Sequence, residues 1–208
     1  MTELVAVAAV VVVAWFAAGT IWNVRLGREL MRWMQGGLPV LGSRTTVRWL
    51  GSTAVQMVID DGEAPFASVA VVIFLEPRDL PWWPLSRLLG RRDTLIIRGV
   101  LRRAPALEFE ALDPASWSAR DALPRVPREW AVRQAVHGDL VVHHASAAAL
   151  GQADTLLAIA RRAGLAVRRL TARRTEPNFQ LHVPLPDRGK PARAFFETVR
   201  ALAERASA

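Results

Sequence analysis

The sequence predicts an α+β protein: one N-terminal transmembrane helix, then a mixed, mainly antiparallel β-sheet domain with two or three packed helices. Three observations carry this expectation. Leu4–Trp22 (LVAVAAVVVVAWFAAGTIW) is an uninterrupted stretch without a charge. Residues 44–112 hold short β-branched and apolar runs separated by turn signals. Residues 146–208 hold two helix-length amphipathic segments, so strands and helices are segregated rather than alternating as βαβ units.

Composition narrows the field. The 208 residues are 51% hydrophobic, which excludes a disordered chain. Cysteine is absent, which excludes disulfide scaffolds, thiolate zinc sites and thiol catalysis. Net charge is +8, from 27 basic and 19 acidic side chains. All the basic residues but Lys190 are arginine, and alanine is abundant, so arginine richness reads first as compositional bias.

Along the chain, residues 1–3 form a short N-terminal end and residues 4–24 an anchor helix. At 1.5 Å per residue, Leu4–Trp22 covers roughly 28 Å, close to the hydrocarbon thickness of a bilayer. A cleaved signal peptide needs a positive n-region and a shorter apolar core. Met1-Thr2-Glu3 has no positive side chain, so an uncleaved signal anchor is expected. Ala14 and Ala18 form a small-xxx-small pair through which a second membrane helix, from a partner or another copy, could approach.

Residues 25–43 read as a juxtamembrane amphipathic helix and linker. Arg25, Arg28 and Arg32 share one face and Leu26, Leu30 and Trp33 another, with Gly36-Gly37 and Pro39 as the stop. Three arginines on this flank against Glu3 on the other place the C-terminal domain in the cytoplasm and the N-terminus outside.

Residues 44–208 form the soluble domain, with 44–112 and 126–208 as two candidate halves. Strands are expected over Thr45–Leu50, Thr53–Asp60, Ser68–Leu75, Thr94–Leu101 and Leu107–Leu112. Asp113–Arg128, with three prolines, reads as a linker or a loop with one helical turn. Trp130–Val136 and Leu140–His143 suggest a hairpin around Gly138-Asp139, with a helix from Pro127 as the alternative. Ser146 caps a helix over Ala147–Ala163 that Gly164 ends. Strands at Leu165–Leu170 and Asn178–Leu185 precede a last helix from Pro191, carrying Phe195, Phe196, Val199 and Leu202.

The most distinctive motif is Leu80–Arg92, LPWWPLSRLLGRR. Trp82, Trp83, Leu85, Leu88 and Leu89 beside Arg87, Arg91 and Arg92 have the composition of an interfacial membrane contact. The competing reading is a lid over the domain's own core or a protein-docking loop. The expected membrane-interface set is therefore Trp22, Arg25, Arg28, Arg32, Trp33, Trp82, Trp83, Leu85, Leu88 and Leu89, facing a bilayer with anionic headgroups.

Catalytic signals are weak. His137, His143, His144 and His182 are the only histidines, and adjacent His143 and His144 on a strand point to opposite faces. HExxH, GxSxG, GxxxxGK[ST] and GxGxxG are all absent. No catalytic residue, metal ligand or cofactor is assigned. Five arginine pairs (91–92, 102–103, 161–162, 168–169, 173–174) lack an accompanying aromatic RNA-binding motif, so nucleic acid is not the expected partner. The leading expectation is a non-catalytic scaffold, accessory subunit or membrane-surface interaction module. The alternatives are an anchored hydrolase or metal-dependent enzyme using His137–His144, and a tethered nucleic-acid or nucleotide binder.

Overall fold

The computed structural model describes residues 1–135 and 139–208. Its first element, α1 (Thr2–Gln35), is one unbroken helix that merges the expected anchor and the juxtamembrane helix. Gly36 ends it, and Gly37 then allows a close approach: a Cβ there would lie 2.5 Å from the Phe196 ring.

The strands are β1 (Thr45–Trp49), β2 (Ala54–Ile59), β3 (Phe66–Phe74), β4 (Thr94–Leu101), β5 (Phe109–Leu112), β6 (Ala131–Gln134), β7 (Val141–His144), β8 (Arg169–Ala172) and β9 (Phe179–Pro184). They form one antiparallel sheet in the order β1-β2-β3-β4-β9-β8-β5-β7-β6. Strands from both candidate halves alternate in it, because β9 and β8 insert between β4 and β5. β6 and β7 pair as the expected hairpin, so the helix from Pro127 is not formed; the Gly138 end of its turn, with Val136 and His137, lies outside the described residues.

One expected strand is displaced. Leu165–Leu170 was the apolar run, yet the ladder begins at Arg169. Leu165 and Val167 instead pack against the core from a loop. Strand pairing starts where β5 and β9 supply partners, Leu112 and His182 for Arg169.

Four further α-helices lie among the described residues: α2 (Trp83–Leu88), α3 (Trp117–Ala122), α4 (Ala147–Arg162) and α5 (Ala192–Ser207). Ser146 caps α4 by accepting from the Ala149 amide, and Gly164 follows it at φ +74°, a conformation glycine reaches without strain. The apolar stripes of α4 and α5 cover one sheet face, whose inward residues include Val71, Ile73, Ile97, Leu181, Leu170 and Ala111. The C-terminal half of α1 joins this layer through Leu30 and Met34, followed by Leu38 and Leu41, all buried. The opposite sheet face is mixed, with Arg98, Gln180, His182, Arg169, Thr171 and Glu110 among Val72, Phe74 and Ile96, and the α3 segment packs on it through Ala119, Ala122 and Val126 against Leu112 and through Trp117 against Phe74.

Candidate membrane-facing site

α1 changes environment along its length. Residues 2–18 are all exposed, and at 1.5 Å per residue they form an apolar rod roughly 26 Å long that touches the domain through Trp15. The helix is long and apolar enough to cross a membrane. From Gly19 onward the same helix enters the domain: Gly19, Asn23, Gly27, Leu30 and Met34 are buried at helical spacing.

A polar clamp holds the exit point. The missing side chain of Gly19 lets the helix touch the backbone of Arg78, where a Cβ would come 2.3 Å from the carbonyl oxygen. Trp15 Nε1 donates to the Leu80 carbonyl (3.2 Å). Asn23, fully buried, donates through Nδ2 to the Glu76 carbonyl (3.1 Å) and accepts from Arg78 (3.1 Å). Arg78 makes a two-point ion pair with Asp93, at 3.0 and 2.6 Å. The Arg78 guanidinium also lies 6.0 Å from the Trp22 ring centre and 5.9 Å from that of Trp83. These bonds fix the loop preceding α2 to the helix at the level where α1 leaves the domain.

The motif at Leu80–Arg92 therefore lies beside the apolar rod. The two tryptophans divide their work. Trp83 is half-buried and donates to the buried Glu76 carboxylate (2.5 Å), whereas Trp82 is exposed. α2 buries none of its residues, and Leu85, Leu88 and Leu89 are 58%, 84% and 62% exposed. This apolar surface does not cover the domain's own core.

Further down α1, Arg25, Arg28 and Arg32 are exposed. Arg28 and Arg32 line a groove between α1 and β1 with Met31 and Val47. Trp33 lies 14 residues past Gly19, roughly 21 Å along the axis. It packs on Phe195 and Phe196, at ring separations of 5.9 and 6.4 Å, and donates to the Lys190 carbonyl (2.7 Å). Ala14 and Ala18 lie on the exposed rod. Missing from the sequence reading were Asn23, Arg78 and Asp93. Asn23 at the end of an uncharged stretch was the one available signal; its partners are more than 50 residues away.

The histidines do not converge on one catalytic centre among the described residues. His137 lies outside them. Asp139 and His182 line separate clefts. His143 faces Glu110 across the sheet, and burial pushes its pKa down against the opposing pull of that carboxylate. His144 bonds locally to the Ser146 carbonyl (2.9 Å). Among the described residues no three His, Asp or Glu side chains gather as a metal site. Two arginine pairs are drawn into ion pairs: Arg168 with Asp113, Arg169 and Arg173 with Glu110, and Arg174 with Glu108. No protein-family profile and no curated protein sequence matches the chain.

Proposed function

We propose that this chain is a single-pass membrane protein whose α+β domain is a non-catalytic interaction module, clamped against the bilayer by α1 and α2. One observation carries the reading: a single helix is apolar and exposed over residues 2–18 and built into the domain core from Gly19 on, with the exposed leucines of α2 beside the crossover. A rod of roughly 26 Å matches a bilayer core of about 30 Å once slight thinning or interfacial anchoring absorbs the difference. Trp22, Trp82, Leu85, Leu88 and Leu89 then enter the interface, where amphipathic and aromatic side chains are favoured. Arg25, Arg87, Arg91 and Arg92 lie at headgroup level, where each contributes about 1 kcal/mol against anionic lipid.

In this reading the domain is not a loosely tethered body. Its tilt and its height above the bilayer are set by a continuous helix, so whatever it binds is presented in one orientation. The expected role is that of an accessory subunit or scaffold in a membrane assembly, with Ala14 and Ala18 available for close helix contact.

Because the chain has no cysteine, single labels can be introduced without background. A polarity-sensitive fluorophore on Leu88→Cys, in nanodiscs, is expected to emit at shorter wavelength than the same label on Ala104→Cys. Ala104 lies just beyond the opposite end of β4, about 23 Å along the strand from the α2 end. Equal, water-like emission from both sites would remove α2 from the membrane and overturn the clamped arrangement.

A further inference from the structure

The mixed face of the sheet holds a cleft that the anchoring reading does not use. Antiparallel registers bring its residues together: Ile96, His182 and Arg169 are neighbours across β4, β9 and β8, and one step along lie Arg98, Gln180, Thr171 and Glu110. Arg173 follows β8 on the same face by strand alternation. Trp117 of α3 and Arg125 close the other side of a space of about 460 Å³. That volume falls in the range of small-molecule sites, roughly 300–1,000 Å³.

Three features of this cleft call for a ligand. The first is His182, which is 2% exposed, lines the cleft, and has no hydrogen-bond partner at either ring nitrogen. A buried imidazole loses its water partners on folding, so two unmet ring nitrogens are costly unless something else meets them. The second is a charge surplus. Glu110 is fully buried and its single carboxylate is shared by two arginines, Arg169 at 2.6 Å and Arg173. One positive charge is left over. Arg98, exposed and also lining the cleft, has no ion-pair partner among the described residues and adds a second. Asp121 is taken by Arg125 (3.0 Å), and Glu176 at the exposed rim offsets one of the two, so the cleft keeps a net positive charge. The third is preorganisation. Arg173 is stacked on Trp130 with 5.1 Å to the ring centre, and Arg169 is braced by Thr171 at 3.3 Å.

We propose that this cleft binds a phosphoryl group, carried by a small phosphomonoester or by a phospholipid headgroup. Such a group carries about −1.5 to −2 charges and three strong acceptor oxygens, which suits a lining whose arginines outnumber its carboxylates and whose guanidinium donors approach from different strands. His182 completes the set as a neutral N–H donor, and the phosphate oxygens satisfy what the fold leaves open. A headgroup source has a route: Trp117 and Ser118 also border the cleft lined by Arg87 and Arg92, beside α2.

The test uses the full chain in nanodiscs of zwitterionic lipid, titrated calorimetrically with glycerol 3-phosphate at constant ionic strength. Saturable one-to-one binding is expected, accompanied by movement of the His182 side-chain signal in ¹⁵N-histidine spectra. Arg98→Gln should weaken the binding by about tenfold or more, the worth of a charge-assisted hydrogen bond. Arg205→Gln, the same charge change on α5 across the molecule, should leave it unaltered. Nanodiscs containing phosphatidic acid distinguish the sources: competition beyond that from an equal charge of phosphatidylserine identifies the headgroup, and none identifies a soluble ligand. Absence of saturable binding at millimolar concentrations, or equal weakening by the two arginine substitutions, would overturn the proposal.

Discussion

Glu110 shows how one buried side chain organises a sheet face. It is 0% exposed, stands opposite Thr171 and His143, and holds two arginines. Such a triad adds little relative to an apolar replacement of all its members, but removing one member strands the others. Glu110→Gln is therefore expected to cost about 3–5 kcal/mol in a denaturant titration. Glu197→Gln, which breaks an exposed pair on α5, should cost no more than about 0.5 kcal/mol. His182 sets a pH dependence on the same face. Burial, with the nearby charges of Arg169 and Arg98, lowers its pKa to about 3. The unfolded histidine titrates near 6.5, so between these values the unfolded chain holds a proton that the folded chain does not. Stability consequently falls as pH drops below about 6.5, with a slope approaching 1.4 kcal/mol per pH unit. His143, also lowered by burial, acts in the same direction. Denaturation midpoints measured from about pH 7 down to about pH 4 should fall less steeply for His182→Gln than for the unaltered chain.

At the scale of elements, α1 has two environments, exposed over residues 2–18 and built into the domain core from Gly19 on. Its first half is apolar on every side, as a helix surrounded by lipid is. Its second half is amphipathic and is part of the core layer with α5. The boundary for removing the anchor follows from this. A chain of residues 14–208 keeps Trp15, Gly19, Asn23 and all the buried positions and should unfold cooperatively. A chain of residues 44–208 loses Leu30, Met34, Leu38 and Leu41, each 0–5% exposed. At about 1.5–3 kcal/mol per buried side chain that is roughly 6–12 kcal/mol, comparable with the entire net stability of a domain. Thermal unfolding followed by circular dichroism should show a sigmoidal transition for 14–208 and none for 44–208. α2 is the complementary case, a six-residue helix with no buried residue of its own, held in place by the Arg78, Asp93 and Glu76 bonds.

For the whole molecule the question is which side of the membrane carries the domain. Arg25, Arg28 and Arg32 follow the rod and Glu3 precedes it. Arg87 and Arg92 line a cleft beside the loop clamped to α1, so folding brings further arginines to that flank, Arg87 paired with Glu76. The topology we propose, on the positive-inside rule, keeps that flank in the cytoplasm. A membrane-impermeant thiol reagent applied to intact cells should label Thr2→Cys directly and Ser207→Cys only after lysis. The reverse pattern would put the domain outside.

What the sequence alone determined was whatever rests on local pattern. The apolar length of Leu4–Trp22, the apolar run of β3, the alternation in β9, the Ser146 cap and the Pro191 start of α5 all read directly, because each is set by neighbours within a few residues. The exposed apolar surface of Trp82 and the leucines at α2 was also legible as composition, though not its place beside the helix. The tertiary structure decided the rest. Residues 25–43 read as a juxtamembrane amphipathic helix and linker, whose apolar stripe could face lipid or core equally, and only packing against α5 settles which. The strand expected over Leu165–Leu170 begins only at Arg169, where β5 and β9 supply partners and a carboxylate 59 residues away, Glu110, lies at 2.6 Å. The cleft around His182 was invisible for the same reason. Its residues come from strands whose order in the sheet departs from their order in the chain, and burial, which makes an unpartnered imidazole informative, exists only after folding.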